Sequence, residues 1–139
     1  MTELEKIFLT SGLTIIGSVI VFVIGQIANE YLIKPYFNYK KVVAEIDEEL
    51  IFYSNIYGNA GQFCIDHKDI CVPASDRLRR LACAFSSAFK QLVICKKVSV
   101  AEKNKVMGNL IFLSNSLWQQ NNIEHNLNKS DEIRKILKI

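Results

Sequence analysis

The sequence predicts an all-α protein: one N-terminal transmembrane helix followed by a small helical bundle on the cytoplasmic side. Three observations carry that prediction. No ionisable side chain occurs between Ile7 and Asn29. Apolar residues recur at steps of three and four through most of the remaining chain. No segment alternates apolar and polar residues as a half-buried strand would. With 139 residues, of which 22% are charged and nearly all of those lie outside that run, the chain has room for one anchor (1–34) and one modest domain (35–139).

The span is Ile7–Ile27, whose 21 residues cover roughly 30 Å as a helix, the thickness of a hydrocarbon core. Its Ile and Val content suits lipid, where a single segment satisfies its backbone only as a helix. A cleaved signal peptide fits less well, because Glu3 and Glu5 outnumber Lys6 before the run, the run is long, and no small-residue cleavage site follows. Lys34, Lys40 and Lys41 follow the span while Lys6 alone precedes it. The positive-inside rule therefore places the N-terminus outside and the domain in the cytoplasm, against a bacterial inner membrane. Four cysteines in that reducing compartment need no partners. Thr10, Thr14 and Ser18 recur every four residues beside Gly17, Val21 and Gly25. Such a row lets helix backbones approach closely, so self-association through Thr10, Thr14, Gly17, Ser18 and Gly25 is expected.

Below the membrane, Pro35 is expected to break or kink the helix. Tyr31, Tyr36 and Tyr39, with Lys34, Lys40 and Lys41, form an interfacial belt. Tyr39–Tyr57 reads as an amphipathic helix with Val42, Val43, Ile46, Leu50, Tyr53 and Tyr57 inward, ended by Gly58. A loop is expected from Gly58 to Pro73. A second helix runs from Ala74 to Val93, with Ser75 as N-cap and a stripe of Leu78, Leu81, Ala82, Phe85, Phe89 and Leu92. The capping box Ser99–Glu102 opens a third, carrying Val106, Leu110, Leu113 and Leu117, with Met107, Ile111 and Trp118 adjoining. Asn121-Asn122 and Asn126–Lys129 read as a polar break, after which Ser130 caps a short final helix with Asp131 and Glu132 in its first turn and Lys135 and Lys138 in its last.

Cys64-Ile65-Asp66-His67-Lys68-Asp69-Ile70-Cys71 is the segment most like ligand chemistry. It offers three N/S ligands at C-x2-H-x3-C where structural zinc wants four, and a fourth would have to come from Cys83, Cys95 or His125. A zinc half-site, a disulfide and an ordinary loop are all open; the ordinary loop is expected, so that removing both thiols leaves folding nearly intact. Neither His67 nor His125 sits in a nucleophile motif, no G-K-[ST] follows Gly58 or Gly61, and no arginine is followed by a histidine with four to six residues between them. The expectation is a protein with no catalytic residues, no metal and no cofactor. From Arg77 to Lys105 stand eight basic residues against Glu102 alone, a net +7. Arg77, Arg79, Arg80, Lys90, Lys96 and Lys97 are thus candidates to bind an anion: a nucleotide, RNA or a lipid headgroup. The plainer alternative is a solvated face balanced by the acidic run Glu45–Glu49.

The order of parts resembles a group of small bacterial membrane proteins: the span, Pro35, Phe52-Tyr53-Ser54-Asn55-Ile56-Tyr57, the Ala74–Ala82 segment and Leu113-Ser114-Asn115-Ser116-Leu117. The architecture is also similar to membrane-anchored accessory or effector proteins of CRISPR and cyclic-oligonucleotide antiviral systems. Their helical, sometimes degenerate HEPN-like, domains assemble into rings that permeabilise or depolarise the membrane. That resemblance implies a non-enzymatic protein partnered by the lipid bilayer and by copies of itself. A membrane-anchored subunit that docks a soluble partner is the other reading.

Overall fold

The computed structural model describes residues 2–94, 98–119 and 122–139. Thr2 opens the first helix with a capping box: its hydroxyl accepts from the Glu5 N–H, and the Glu5 carboxylate accepts from the Thr2 N–H at 2.8 Å. Helix α1 (Glu3–Ala28) buries none of its residues. Three hydroxyls of the apolar run bond back to the helix itself. Thr10 donates to Lys6 O at 2.9 Å, Thr14 to Thr10 O at 2.8 Å and Ser18 to Ile15 O at 2.7 Å. Those three are thereby satisfied without water or a partner.

The helix does not stop at Pro35. It passes through one π-helical turn (Asn29–Ile33) into α2 (Lys34–Phe52), a continuous helix of 50 residues from Glu3 to Phe52. The expected break at Pro35 is corrected by that turn. Lys34 N–H reaches back five residues to Asn29 O, and the widened turn just before Pro35 makes room for a ring that cannot donate.

Every element is helical, and the described residues contain no strand. After α2 come α3 (Ser54–Gly58), α4 (Gln62–Asp66), α5 (Lys68–Gln91), α6 (Val100–Ser116) and α7 (Ile123–Leu137). Helix α5 packs on α2 and α6, and α7 packs on α6 and α3. The expected stripes meet in this core: Val42, Ile46 and Leu50 from α2, Leu78, Leu81, Phe85 and Phe89 from α5, and Val106, Leu110 and Leu113 from α6. The Ser99–Glu102 capping box is present as read.

Three expectations change. The segment 58–73 is not a loop but two helical pieces hinged at Gly61 and His67, tied by a Cys64–Cys71 disulfide whose Cα atoms lie 5.4 Å apart. Gly61 holds φ 92° while its N–H donates to Leu117 O at 2.9 Å, a left-handed conformation that a side chain would strain. Ser75 is no N-cap, because α5 begins seven residues earlier. Ser75 is buried against Ser114, their hydroxyls 2.8 Å apart and the Ser114 hydroxyl donating to Ser75 O at 2.9 Å. Nor does Ser130 begin the last helix. Helix α7 runs straight through Asn126–Lys129, whose polar residues find partners rather than breaking it. Tyr57 donates to Leu50 O at 2.7 Å, so the Ser130 hydroxyl donates to Tyr57 at 3.1 Å, and Asn126 donates to Tyr57 O at 2.9 Å.

The disulfide reverses the expectation for the thiol-free variant. Cys64 and Cys71 are fully buried, and a short cross-linked loop contributes about 2 kcal/mol by restricting the unfolded chain. Cys64→Ala with Cys71→Ala should lower the unfolding free energy of oxidised protein, measured by chemical denaturation, by that amount, and adding reductant to the parent should reproduce most of the loss.

Candidate functional site

A span, a basic run and a cysteine–histidine segment were the sequence's candidates, and the structure places each. On α1, Thr10, Thr14, Gly17, Ser18, Val21 and Gly25 fall within about 100° of one another at 100° per residue, one face of the helix. A Cβ built on Gly17 or Gly25 meets nothing within 4 Å, so within one chain this face is open.

The basic run is divided rather than gathered. Half-buried Arg77 turns to α2: its Nε donates to Glu49 Oε1 at 2.6 Å and its Nη2 lies 3.6 Å from Glu45 Oε2. The hydrogen bond it donates to Glu49 holds the Arg77 guanidinium above its already high ordinary value, with the Glu49 and Glu45 charges adding to it. Arg79 turns the other way, donating to Asn115 Oδ1 on α6 at 2.8 Å. Arg80 is exposed beside Tyr53, Val72 and Pro73, at the rim of a shallow depression. Lys90 is exposed about 15 Å further along α5. Lys96 and Lys97 lie outside the described residues. Further on, Lys105 pairs with Glu132, and Lys103 lies 6.0 Å from the centre of the Phe89 ring.

In the cysteine–histidine segment, the two thiols are bonded to each other. His67 stacks on Phe63 with ring centres 4.6 Å apart, its Nδ1 3.0 Å from Phe63 O. His125 meets the edge of Phe112 at 4.9 Å. Among the described residues, no three His, Cys, Asp or Glu side chains are grouped so as to hold a metal ion. Cys83 is the one free cysteine among them, and it is exposed.

Two features escaped the sequence reading. Glu132, expected in a first helical turn, sits mid-helix as the hub between α6 and α7. It pairs with Lys105, accepts from Asn109 Nδ2 at 2.8 Å and lies 3.2 Å from Lys129 Nζ. Lys105 first and Asn109 second hold its carboxyl far below the usual range, at about 2. The second is a cleft of about 190 Å³ at the end of the domain nearest α1, between α2, the start of α6 and the end of α7. Tyr36, Tyr39, Val98 and Ile136 line it, with Lys40 and Lys138 among its borders. Its walls come from three separate stretches of chain, so no local pattern announces it.

No family model, curated protein or solved structure matches the chain.

The Glu132 hub predicts a pH dependence of definite sign. A carboxyl near 2 in the fold and near 4.3 when unfolded stabilises the fold above about pH 4, and that contribution is lost as pH falls toward 2. Melting temperature measured across that window should drop in the parent. In Glu132→Gln the Glu132 share of the drop should be absent, with a lower plateau at neutral pH.

Proposed function

We propose that the chain is a non-enzymatic, single-pass membrane protein whose spans associate and whose helical domain follows each span without a hinge. The observation that carries this is the unbroken helix Glu3–Phe52, long and apolar enough to cross a membrane, with its N-terminal half buried against nothing in the chain. A soluble protein would leave more than a dozen large apolar side chains of α1 in water, whereas a bilayer takes them up at no such cost. The internally bonded hydroxyls of Thr10, Thr14 and Ser18 support the same reading, since hydrocarbon offers no other acceptor.

Association of spans is supported by the open small-residue face, where neighbouring backbones approach closely and van der Waals contact replaces the missing hydrophobic drive. Extending the architectural resemblance, the assembled spans would permeabilise or depolarise a bacterial inner membrane as an effector of antiviral defence, with the domain receiving the signal. Histidines packed on phenylalanines and thiols tied to each other favour a binding role for the domain over chemistry. Arg79, Arg80 and Lys90, whose charges face water, remain the residues of the basic run best placed for an anionic nucleotide, RNA or headgroup.

A second reading, an anchored subunit that docks a soluble partner, has its own observation. Ile51 and Phe52 at the far end of α2 are 59% and 73% exposed, with Val72 also exposed beyond them. That apolar tip points away from the span, where a soluble partner could reach it.

For orientation, the lysine bias supports a cytoplasmic domain. The Cys64–Cys71 disulfide supports the opposite side, where thiols persist oxidised. A reporter fused after Ile139 in bacterial cells should read cytoplasm. Mass spectrometry of protein alkylated before lysis should then find Cys64 and Cys71 reduced, while a periplasmic reporter with an intact disulfide would reverse the topology.

The association itself is tested in the span. Gly17→Leu with Ser18→Leu should insert normally yet shift detergent-extracted protein from oligomer to monomer by native mass spectrometry, and abolish any membrane leak. Val23→Leu, on the other side of α1, should be silent. Parent-like oligomers from the double variant would hand the lead to the docking-subunit reading.

A further inference from the structure

We infer that the end of the domain nearest the span is a docking surface for anionic phospholipid headgroups, centred on the cleft bordered by Lys40 and Lys138. The inference rests on the anchoring reading and adds a second contact with the same bilayer.

The register of α5 against α2 fixes which end this is. Arg77 meets Glu45 and Glu49, Phe85 meets Tyr39 at 5.8 Å between ring centres, and Gln91 Oε1 lies 3.4 Å from Asn38 Nδ2. Rising numbers on α5 meet falling numbers on α2, so the end of α5 and the start of α6 lie toward α1. Val98, and Ile136 to Ile139 at the end of α7, border the same cleft as Tyr36 and Tyr39. Three distant stretches of chain therefore converge beside the exit of the span.

The depth also matches. From Glu3 to Ile33 the helix measures about 46 Å, close to the 40–45 Å of a bilayer with its headgroups. Tyr31, Ile33 and Phe37 remain exposed on it, and Glu30 in this stretch is paired with Lys34. Tyr36 and Lys40 then stand about 5–10 Å outside the headgroup layer, near one Debye length at physiological salt.

Composition of this end fits an anionic lipid surface and little else. Just past the end of α5, Val93 is 66% exposed and Ile94 51% exposed, and no described residue covers either. At the same end of the domain, Lys40 and Lys90 form no ion pair among the described residues, and Lys138 is held only by the more distant charge of Glu102. The carboxylates at this end are engaged: Glu30 by Lys34, and Glu102 by Ser99, whose backbone N–H holds it below the usual carboxylate range. An apolar prominence on the same end as exposed lysines is what a headgroup layer accommodates, the apolar side chains reaching the interface as the span tilts while ammonium groups meet phosphate. A nucleotide or RNA would satisfy the lysines but leave Val93 and Ile94 in water.

The full-length chain in nanodiscs tests this. A dye sensitive to polarity is placed at Val93→Cys in a Cys83→Ser, Cys95→Ser background, in phosphatidylcholine alone or with one part in three phosphatidylglycerol. Quenching by spin-labelled lipid is read out. The dye should be quenched in anionic discs and not in neutral ones, and Lys40→Glu with Lys90→Glu should shift the docked-to-free ratio roughly thirtyfold toward free. Both lysines are exposed, so unchanged thermal melting checks that the variant is folded. A water-exposed dye in every disc overturns docking while leaving the anchor intact. Quenching equal in neutral and anionic discs overturns the anionic specificity. Failure of the parent to remain in membranes after carbonate washing removes the anchor and the docking with it.

Discussion

A proline inside a helix removes a donor and interrupts the hydrogen-bond ladder unless something local compensates, and this chain passes Pro35 without ending the helix at all. The π-helical turn at Asn29–Ile33 is what makes this feasible, since it carries the ladder up to a proline that would otherwise interrupt it. Everything after it inherits a fixed geometry. Helix α2 is at once the continuation of α1 and one wall of the core, so α5 and α7 pack onto a post that α1 extends. A rotation or tilt of the span is therefore a motion of Val42, Ile46 and Leu50 against α5. With no flexible linker between them, span and domain cannot be uncoupled without melting a turn of helix.

The apolar part of this fold was legible because periodicity reports it directly. Leu78, Leu81, Phe85 and Phe89 in one helix, and Val106, Leu110 and Leu113 in the next, are where the stripes placed them. Polar residues were misread in a consistent direction. Ser75, Asn126 and Ser130 carry strong local preferences for caps and turns, because their side chains compete for nearby backbone. Here each has a better offer from another element: Ser75 from Ser114, and Asn126 and Ser130 from Tyr57. Once a tertiary partner satisfies the side chain, the propensity that marks a helix end no longer operates. A sequence does not show which serine has that partner. Pro35 and the 58–73 segment failed alike, through non-local compensation: a widened turn in one case, a cross-link in the other.

The candidate sites divide along the same line. The small-residue face of α1 is a property of one helix, and spacing alone reveals it. The basic run looked like a single feature in sequence, yet a helix turns 100° per residue, so Arg77 and Arg79 fall to opposite flanks of α5 and are taken up by different neighbours. What survives as free charge is set by pairing rather than by count. Arg77 and Lys105 brace α5 to α2 and α6 to α7, while Lys40, Lys90 and Lys138 are left at the end nearest α1. The cleft there joins residues a hundred positions apart, which only the folded chain brings together.

The lysine bias and the disulfide pull orientation in opposite senses, and burial weighs the two. Positive-inside selection acts during insertion on lysines near the span, before the domain exists, so it is indifferent to what Cys64 and Cys71 later become. Their approach is made by the fold: the junction of α4 and α5 at His67 and the close packing of both residues bring the Cα atoms to 5.4 Å. A pair held that way is juxtaposed as dithiol or disulfide alike. With both sulfur-bearing residues fully buried, a reductant reaches them only when the α4–α5 junction opens locally, so the redox state follows the free energy of that opening as well as the compartment. Local stability thus governs how long either cysteine state lasts, whatever the compartment.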